Sequence, residues 1–170
     1  MGTEIERKYL VDPAVFLATG LATTTDKTRI EQGYISVGDH LFDEMRVRIS
    51  DGKEATFTRK SKGDLAREEN EFAMPVERAR AILGVCEGRV LDKTRYLVPA
   101  NDGLMFEVDI YAGDLEGLAV AEVEIPSEDA TIELPGWIGQ EVTFNKAYKN
   151  AQLALHGKPS ARTRHKAKGF

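Results

Sequence analysis

Like-charged side chains recur two residues apart along much of this 170-residue sequence. In an extended strand, residues i and i+2 point to the same face, whereas in a helix they point in nearly opposite directions. Each pair therefore predicts a strand with one charged face. The pairs are Glu4 and Glu6 (followed by Lys8), Arg46 and Arg48, Glu69 and Glu71, Lys93 and Arg95, Glu107 and Asp109, and Glu122 and Glu124.

The residues between the paired charges are mostly apolar, for example Val47, Val108 and Val123, so the opposite face of each strand is apolar. An ordinary antiparallel sheet would turn its charged face to water. Two like charges ~7 Å apart, however, repel by ~2 kcal/mol at an effective dielectric constant of about 20, and a solvated face usually mixes signs. The recurring pairs favour a closed antiparallel barrel of about eight strands whose charges line the interior. Helices and loops would cover its apolar exterior.

A lumen lined by both acids and bases suits a phosphate chain bound together with a metal ion. The carboxylates would hold the metal, and the metal and the bases would hold the phosphates. Arginine matches pairs of phosphate oxygens, and lysine acts as a point charge. The chain has one cysteine, Cys86, and three scattered histidines, so oxygen ligands and therefore Mg²⁺ or Mn²⁺ are expected rather than zinc.

Alternating apolar residues and turn residues predict the elements that position these charges. One helix is predicted over 75–85, with proline at its start, and another over 143–155, with Thr143 as N-cap and Gly157 just past the end. A short helical turn is expected at 12–18. The predicted strands cover residues 4–11, 30–37, 44–50, 53–60, 66–74, 90–98, 105–112 and 119–125.

These residues resemble the CYTH superfamily, also called the triphosphate tunnel metalloenzymes. Glu4-Ile5-Glu6-Arg7-Lys8 is similar to the family's Glu-x-Glu-x-Lys signature, and the later charged pairs follow in order. Glu141-Val142-Thr143 and Tyr148-Lys149-Asn150 resemble its C-terminal helix. The resemblance implies a mainly β (α+β) fold with a charged tunnel over residues 4–155, followed by a flexible basic tail at 156–170.

The resemblance also implies roles for the charged residues. Glu4 or Glu6 would help to deprotonate a water molecule on the metal, and Lys8 would polarise the phosphate. Glu69 and Glu71 either orient neighbouring arginines or contact metal, while Thr56 and Thr58 are structural. The implied metal ligands are Glu4, Glu6, Glu107, Asp109, Glu122 and Glu124. The implied triphosphate-binding residues are Lys8, Arg46, Arg48, Lys60, Lys93 and Arg95.

Several activities are compatible with this resemblance, and hydrolysis of inorganic tripolyphosphate to pyrophosphate and phosphate is the one we expect. Related cyclases usually carry a His-Phe element near their first strands, whereas no histidine precedes His40 here. Few aromatic residues in the strands are placed to stack on a base. The alternatives are a thiamine or nucleoside triphosphatase, a class IV adenylyl cyclase, or a module that binds polyphosphate or nucleotide without turnover.

Composition limits the partners that we expect. The net charge of −5 argues against general nucleic-acid binding. No apolar segment approaches the roughly 20 residues of a membrane span, and no signal peptide is visible, so the expected compartment is the cytoplasm. The expected partner is a small-molecule triphosphate. A homodimer is left open, because dimers are common in the family that the chain resembles.

Overall fold

A computed structural model describes residues 5–38, 43–61 and 68–160. The described residues are mainly antiparallel β-strand, with a few short helices. The helices are α1 (Pro13–Ala18), α2 (Leu21–Thr24), α3 (Val76–Leu83) and α4 (Asn150–His156). The strands are β1 (Ile5–Val11), β2 (Asp26–Val37), β3 (Glu44–Ser50), β4 (Glu54–Lys60), β5 (Glu69–Met74), β6 (Glu87–Pro99), β7 (Met105–Tyr111), β8 (Ala119–Ile125) and β9 (Ile138–Glu141).

The strands follow the hydrogen-bonded order β5-β4-β3-β2-β6-β7-β8-β1-β9. Over the described residues, the sheet has nine strands and its order ends at β5 and β9 instead of closing, which corrects the prediction of a closed barrel of about eight strands. The additional strand, β9, is only 4 residues long and pairs with β1 in an irregular register, so it left no alternating pattern to detect. The residues of β5 are exposed except for Met74, as expected for a strand with a single partner.

The described residues group into two compact units. Unit 1 comprises residues 5–28, 93–148 and 158–160, and unit 2 comprises 29–38, 43–61, 68–92 and 149–157. The apolar core of unit 1 lies against one face of β6, β7, β8 and β1. Phe16 of α1 is fully buried there and packs edge-on against Trp137, with ring centroids 5.1 Å apart. Asp12 caps α1 by accepting a hydrogen bond from the Ala14 N–H at 2.9 Å, so the short predicted helix at 12–18 is confirmed.

In unit 2, helix α3 covers the apolar face of β3 and β4, where Val47 and Ile49 are fully buried. The sheet approaches the end of this helix closely at Gly33. A Cβ added to Gly33 would lie 2.7 Å from the Cys86 Sγ, so only glycine fits without a shift of its neighbours.

The C-terminal helix begins later than predicted. Helix α4 begins at Asn150 with Lys149 as N-cap, whereas the preceding residues form β9, a loop and a 3-10 turn at Lys146–Tyr148. Thr143 is therefore not an N-cap; its hydroxyl instead accepts a hydrogen bond from the Lys8 N–H at 3.0 Å. Gly157 follows the last helical residue as predicted.

The predicted flexible tail at 156–170 needs a partial correction. Lys158 donates from Nζ to the Glu116 carbonyl at 2.8 Å, and Pro159 is buried, so the beginning of the segment is packed. Residues 161–170 lie outside the described part of the chain. Among the described helices, none is long and apolar enough to cross a membrane.

Candidate active site

The charged face of unit 1 lies opposite its apolar core. On β7, Phe106 and Val108 are fully buried in the core, while Glu107 and Asp109 occupy the alternate positions. On β8, Val123 and Ile125 are likewise buried in the core, with Glu122 and Glu124 at the alternate positions, whereas β1 carries Arg7 on its apolar face. Strands β7 and β8 of unit 1 therefore have the predicted apolar and charged faces.

The pairing of β1 with β8 brings acids and a base together. Glu6 lies opposite Glu124, and Lys8 lies opposite Glu122. The Lys8 Nζ is 3.3 Å from a Glu122 carboxylate oxygen and donates to the Tyr148 carbonyl at 3.1 Å. Burial alone would raise the pKa of Glu122, but the positive charges of Lys8, Lys93 and Arg95 together outweigh it and the pKa is lowered. Glu122 is thus held as a carboxylate next to a cation.

A second cluster joins β6 to β7 around Asp109, which is fully buried together with Lys93. Lys93 donates from Nζ to Asp109 at 2.7 Å, and Arg95 donates from Nε and Nη2 to the two Asp109 oxygens at 2.8 and 2.9 Å. Burial opposes ionisation of Asp109, but Lys93 and Arg95 prevail and lower its pKa to about 2. Arg95 also contacts Glu107 at 2.9 Å, so it links the cluster to the neighbouring acids.

Four of the predicted metal ligands line one cleft of about 510 Å³ in unit 1. They are Glu6, Glu107, Glu122 and Glu124. Glu4, the remaining acid of the signature, lies outside the described residues. Within the parts of the chain that are described, no three carboxylate, imidazole or thiol side chains lie close enough to hold one metal ion together. The donor chemistry nevertheless fits Mg²⁺ or Mn²⁺, because every candidate ligand in the cleft is a carboxylate.

Unit 2 carries the remaining predicted phosphate-binding residues on one face of β3 and β4. Arg48 donates from Nε to the Gln32 side-chain oxygen at 2.9 Å, and Gln32 donates to the Tyr34 hydroxyl at 2.8 Å. Burial raises the pKa of Tyr34 to about 12, so its hydroxyl keeps its proton at neutral pH. The Arg46 Nε is buried without a hydrogen-bond partner in the described structure. Its Nη1 lies 3.9 Å from Glu44, so the Nε is the donor that suits an anionic ligand.

The acids of β5 contact neighbours other than the arginines. Lys60 lies 3.7 Å from Glu69, and Thr58, which is almost fully buried, lies 3.4 Å from Glu71 across the pairing of β4 with β5. The structure thus gives Glu69 a lysine partner and Glu71 a threonine partner.

Some residues near the predicted site were not identified from the sequence. Gln32 and Tyr34 are uncharged, so the search for paired charges passed over them, although both lie at alternate positions of a predicted strand. Tyr148 contributes its backbone carbonyl, a group that every residue has and that leaves no signal in a sequence. Asp102, in the turn between β6 and β7, lines the acidic cleft but has no like-charged partner two residues away.

Comparison with known proteins identifies the class. The model of the CYTH domain family matches residues 2–153, and the chain belongs to this family. This confirms the resemblance inferred from Glu4-Ile5-Glu6-Arg7-Lys8 and the later charged pairs.

Individual relatives match over nearly the same length. An inorganic triphosphatase of Nitrosomonas europaea is 41% identical over 155 residues, covering 90% of this chain and 97% of the relative. An inorganic triphosphatase of Acetivibrio thermocellus is 36% identical over 159 residues, covering 90% and 94%. The crystal structure of an inorganic triphosphatase superposes with a TM-score of 0.66 at 37% identity, covering 94% of this chain and 99% of that one.

Proposed function

We propose that this chain hydrolyses inorganic tripolyphosphate to pyrophosphate and phosphate with the help of Mg²⁺ or Mn²⁺. The observation that carries the proposal is the charged face of unit 1, where a carboxylate-lined cleft adjoins fixed cations. Two relatives that match most of this chain are named for the same reaction. Phosphoryl transfer needs charge neutralisation and positioning more than covalent chemistry, and acids beside bases supply both.

The carboxylates of the cleft are proposed to hold the metal. Glu6, Glu107, Glu122 and Glu124 are the described members, and Glu4 is proposed as a further member from its place in the signature. When bound there, the ion would neutralise phosphate charge and acidify a water ligand. Either Glu4 or Glu6 is proposed to accept the proton of the attacking water.

Asp109 is better suited to holding the cations than to holding metal. It was predicted as a metal ligand, but its two oxygens accept three hydrogen bonds from Lys93 and Arg95. A metal ion would have to displace one of these cations from a fully buried carboxylate. We therefore assign Asp109 the role of fixing Lys93 and Arg95 for phosphate binding.

The remaining bases are proposed to bind phosphate oxygens. Lys8 would contact and polarise the reacting phosphate. Arg46, Arg48 and Lys60 of unit 2 are proposed to bind other phosphate oxygens of the tripolyphosphate. The buried Arg46 Nε supports this assignment, because an anion would supply the partner that it lacks.

The test is phosphate release from tripolyphosphate, ATP and thiamine triphosphate, each assayed with Mg²⁺ and with Mn²⁺. Glu124→Gln should lower kcat/KM for tripolyphosphate on the order of 100-fold, as loss of a charged group from an active site does. Glu128→Gln is the matched control, because Glu128 is exposed just after the same strand. We expect it to have wild-type activity.

Other outcomes would contradict the proposal in distinct ways. Equal or faster turnover of ATP or thiamine triphosphate would reject inorganic tripolyphosphate as the preferred substrate. Conversion of ATP to cyclic AMP would indicate a cyclase. Tight binding of tripolyphosphate without phosphate release would indicate a binding module.

A further inference from the structure

The segment from Glu141 to Tyr148 contacts Lys8 at its backbone as well as its side chain. The Val142 N–H donates to the Lys8 carbonyl at 2.8 Å, and the Lys8 N–H donates to the Thr143 hydroxyl at 3.0 Å. Strand β9 ends at Glu141, so no strand residue of β9 lies opposite Lys8. The Thr143 hydroxyl therefore takes the place of a backbone acceptor and extends the pairing by one residue.

The same segment fixes the far end of the Lys8 side chain. The Tyr148 carbonyl accepts from Nζ at 3.1 Å, and Glu122 lies 3.3 Å away on the neighbouring strand. An ammonium group has three N–H donors. With these two contacts made among the described residues, a third N–H donor would serve a phosphate oxygen, and the ammonium is already oriented when the substrate arrives.

An ion pair on the opposite face of β1 orients the Thr143 hydroxyl. Arg7 donates from Nε and Nη2 to the two Glu141 oxygens, each at 2.8 Å, and Thr143 donates to Glu141 at 2.8 Å. Because the hydroxyl hydrogen points to Glu141, an oxygen lone pair is left for the Lys8 N–H. Arg7 and the Glu-Val-Thr sequence both belong to the motifs noted above, and neither has a role in the proposed reaction.

We propose that Thr143 is a positioning residue for Lys8, and that Arg7 and Glu141 act through it. The inference rests on the proposed function, in which Lys8 contacts the reacting phosphate. None of these three residues needs to touch substrate. Their effect is to hold the strand and the ammonium of Lys8 in one place relative to the segment that ends at Tyr148.

The test compares Thr143→Val, which keeps the shape and removes the hydroxyl, with Thr143→Ser, which keeps the hydroxyl. Loss of one hydrogen bond should raise KM for tripolyphosphate about fivefold, and serine should restore it. A merely structural threonine would reduce the folded fraction and hence the apparent kcat, but not change KM. Thr25→Val is the control, since the Thr25 hydroxyl donates to the Leu21 carbonyl at 2.7 Å at the end of the short helix α2, and its KM should equal wild type.

The coupling to Lys8 is tested by repeating Thr143→Val in a Lys8→Ala background. If Thr143 acts through the ammonium, the second substitution should leave the calorimetric affinity for tripolyphosphate unchanged there. An equal loss of affinity in both backgrounds would overturn the inference.

A substrate-free measurement separates this inference from the proposed function. In ¹³C-lysine-labelled protein, the side-chain NMR signal of Lys8, assigned from Lys8→Arg, should shift in Thr143→Val and return in Thr143→Ser. An unshifted Lys8 signal would overturn the positioning role even if tripolyphosphate is hydrolysed. Absence of phosphate release by the wild type, with the NMR shift present, would reject the proposed function alone.

Discussion

Both carboxylate oxygens of Asp109 accept hydrogen bonds from neighbouring cations. Its position at an alternate residue of β7 was predictable, because the strand period of two places it on the charged face. Its partners were not predictable, since the pairing of β6 with β7 places Arg95 opposite Asp109 and brings Lys93 within reach. The sequence pattern therefore predicts on which face of the strand Asp109 lies. It does not predict whether the carboxylate pairs with a metal ion or with basic side chains.

Replacement of Asp109 by asparagine should destabilise the fold strongly. The change removes the buried carboxylate charge that pairs with Lys93 and Arg95, and breaking a buried ion pair typically costs about 3 kcal/mol or more. Urea denaturation measures the loss directly. Asp129→Asn, at an exposed position after β8, is the control and should unfold like the wild type. Equal stability of Asp109→Asn and wild type would show that the carboxylate is not needed to compensate Lys93.

Among the elements, the alternating strands were the most predictable. Strands β3 and β8 have the predicted bounds, 44–50 and 119–125, because their apolar faces pack on a core and fix the register. Strand β9 and the start of α4 were missed for a common reason. The residues from 138 to 149 are shaped by contacts with β1, above all those of Lys8 with Val142 and Thr143, which are remote in sequence.

The attachment of α4 to β6 depends on a glycine. Gly88 has a φ of +70°, and a Cβ there would lie 2.4 Å from the Ala154 carbonyl oxygen. The adjacent Arg89 donates from Nη1 to the Leu153 and Ala154 carbonyls at 3.0 and 3.2 Å, which satisfies the end of the helix. The helix thus lies directly against backbone, without an intervening side chain.

Gly88→Ala should lower the free energy of unfolding by more than the left-handed backbone conformation alone would predict. Gly20 is the matched control, with a φ of +78° and no atom within 4 Å of an added Cβ. Gly20→Ala should cost about 1 kcal/mol for the left-handed conformation. Gly88→Ala should cost more than about 3 kcal/mol, because α4 must also move and its contacts with Arg89 are disturbed. Equal losses in urea denaturation would show that the close contact is unimportant.

At the scale of the whole molecule, the net charge is negative, which opposes the binding of a polyanion. The net charge is −5, and the cleft of unit 1 is lined by carboxylates. The fixed cations have carboxylate neighbours, as Lys8 has Glu122 and Arg95 has Asp109. Binding of a triphosphate therefore requires additional positive charge, which divalent ions would provide.

Removal of divalent ions should weaken binding itself as well as turnover. In EDTA, the calorimetric affinity for tripolyphosphate should fall at least about tenfold, because carboxylates and phosphates then repel one another at short range. Glu124→Gln should reduce this difference by removing one of the repelling charges. If the affinity for tripolyphosphate is the same with and without metal, the lysine and arginine side chains are sufficient to bind it without divalent ions.

The pairing of β1 with β8 also determines when the site can exist during synthesis. Ile5 lies opposite Ile125, and the Lys8 backbone is completed by Val142 and Thr143. Strand β1 therefore has neither of its neighbours in the sheet until β8 and β9 have been synthesised, more than a hundred residues later. Such remote pairing slows folding. During synthesis, Lys8 consequently acquires the partners described above only after β8 and the segment that follows β9 have been made.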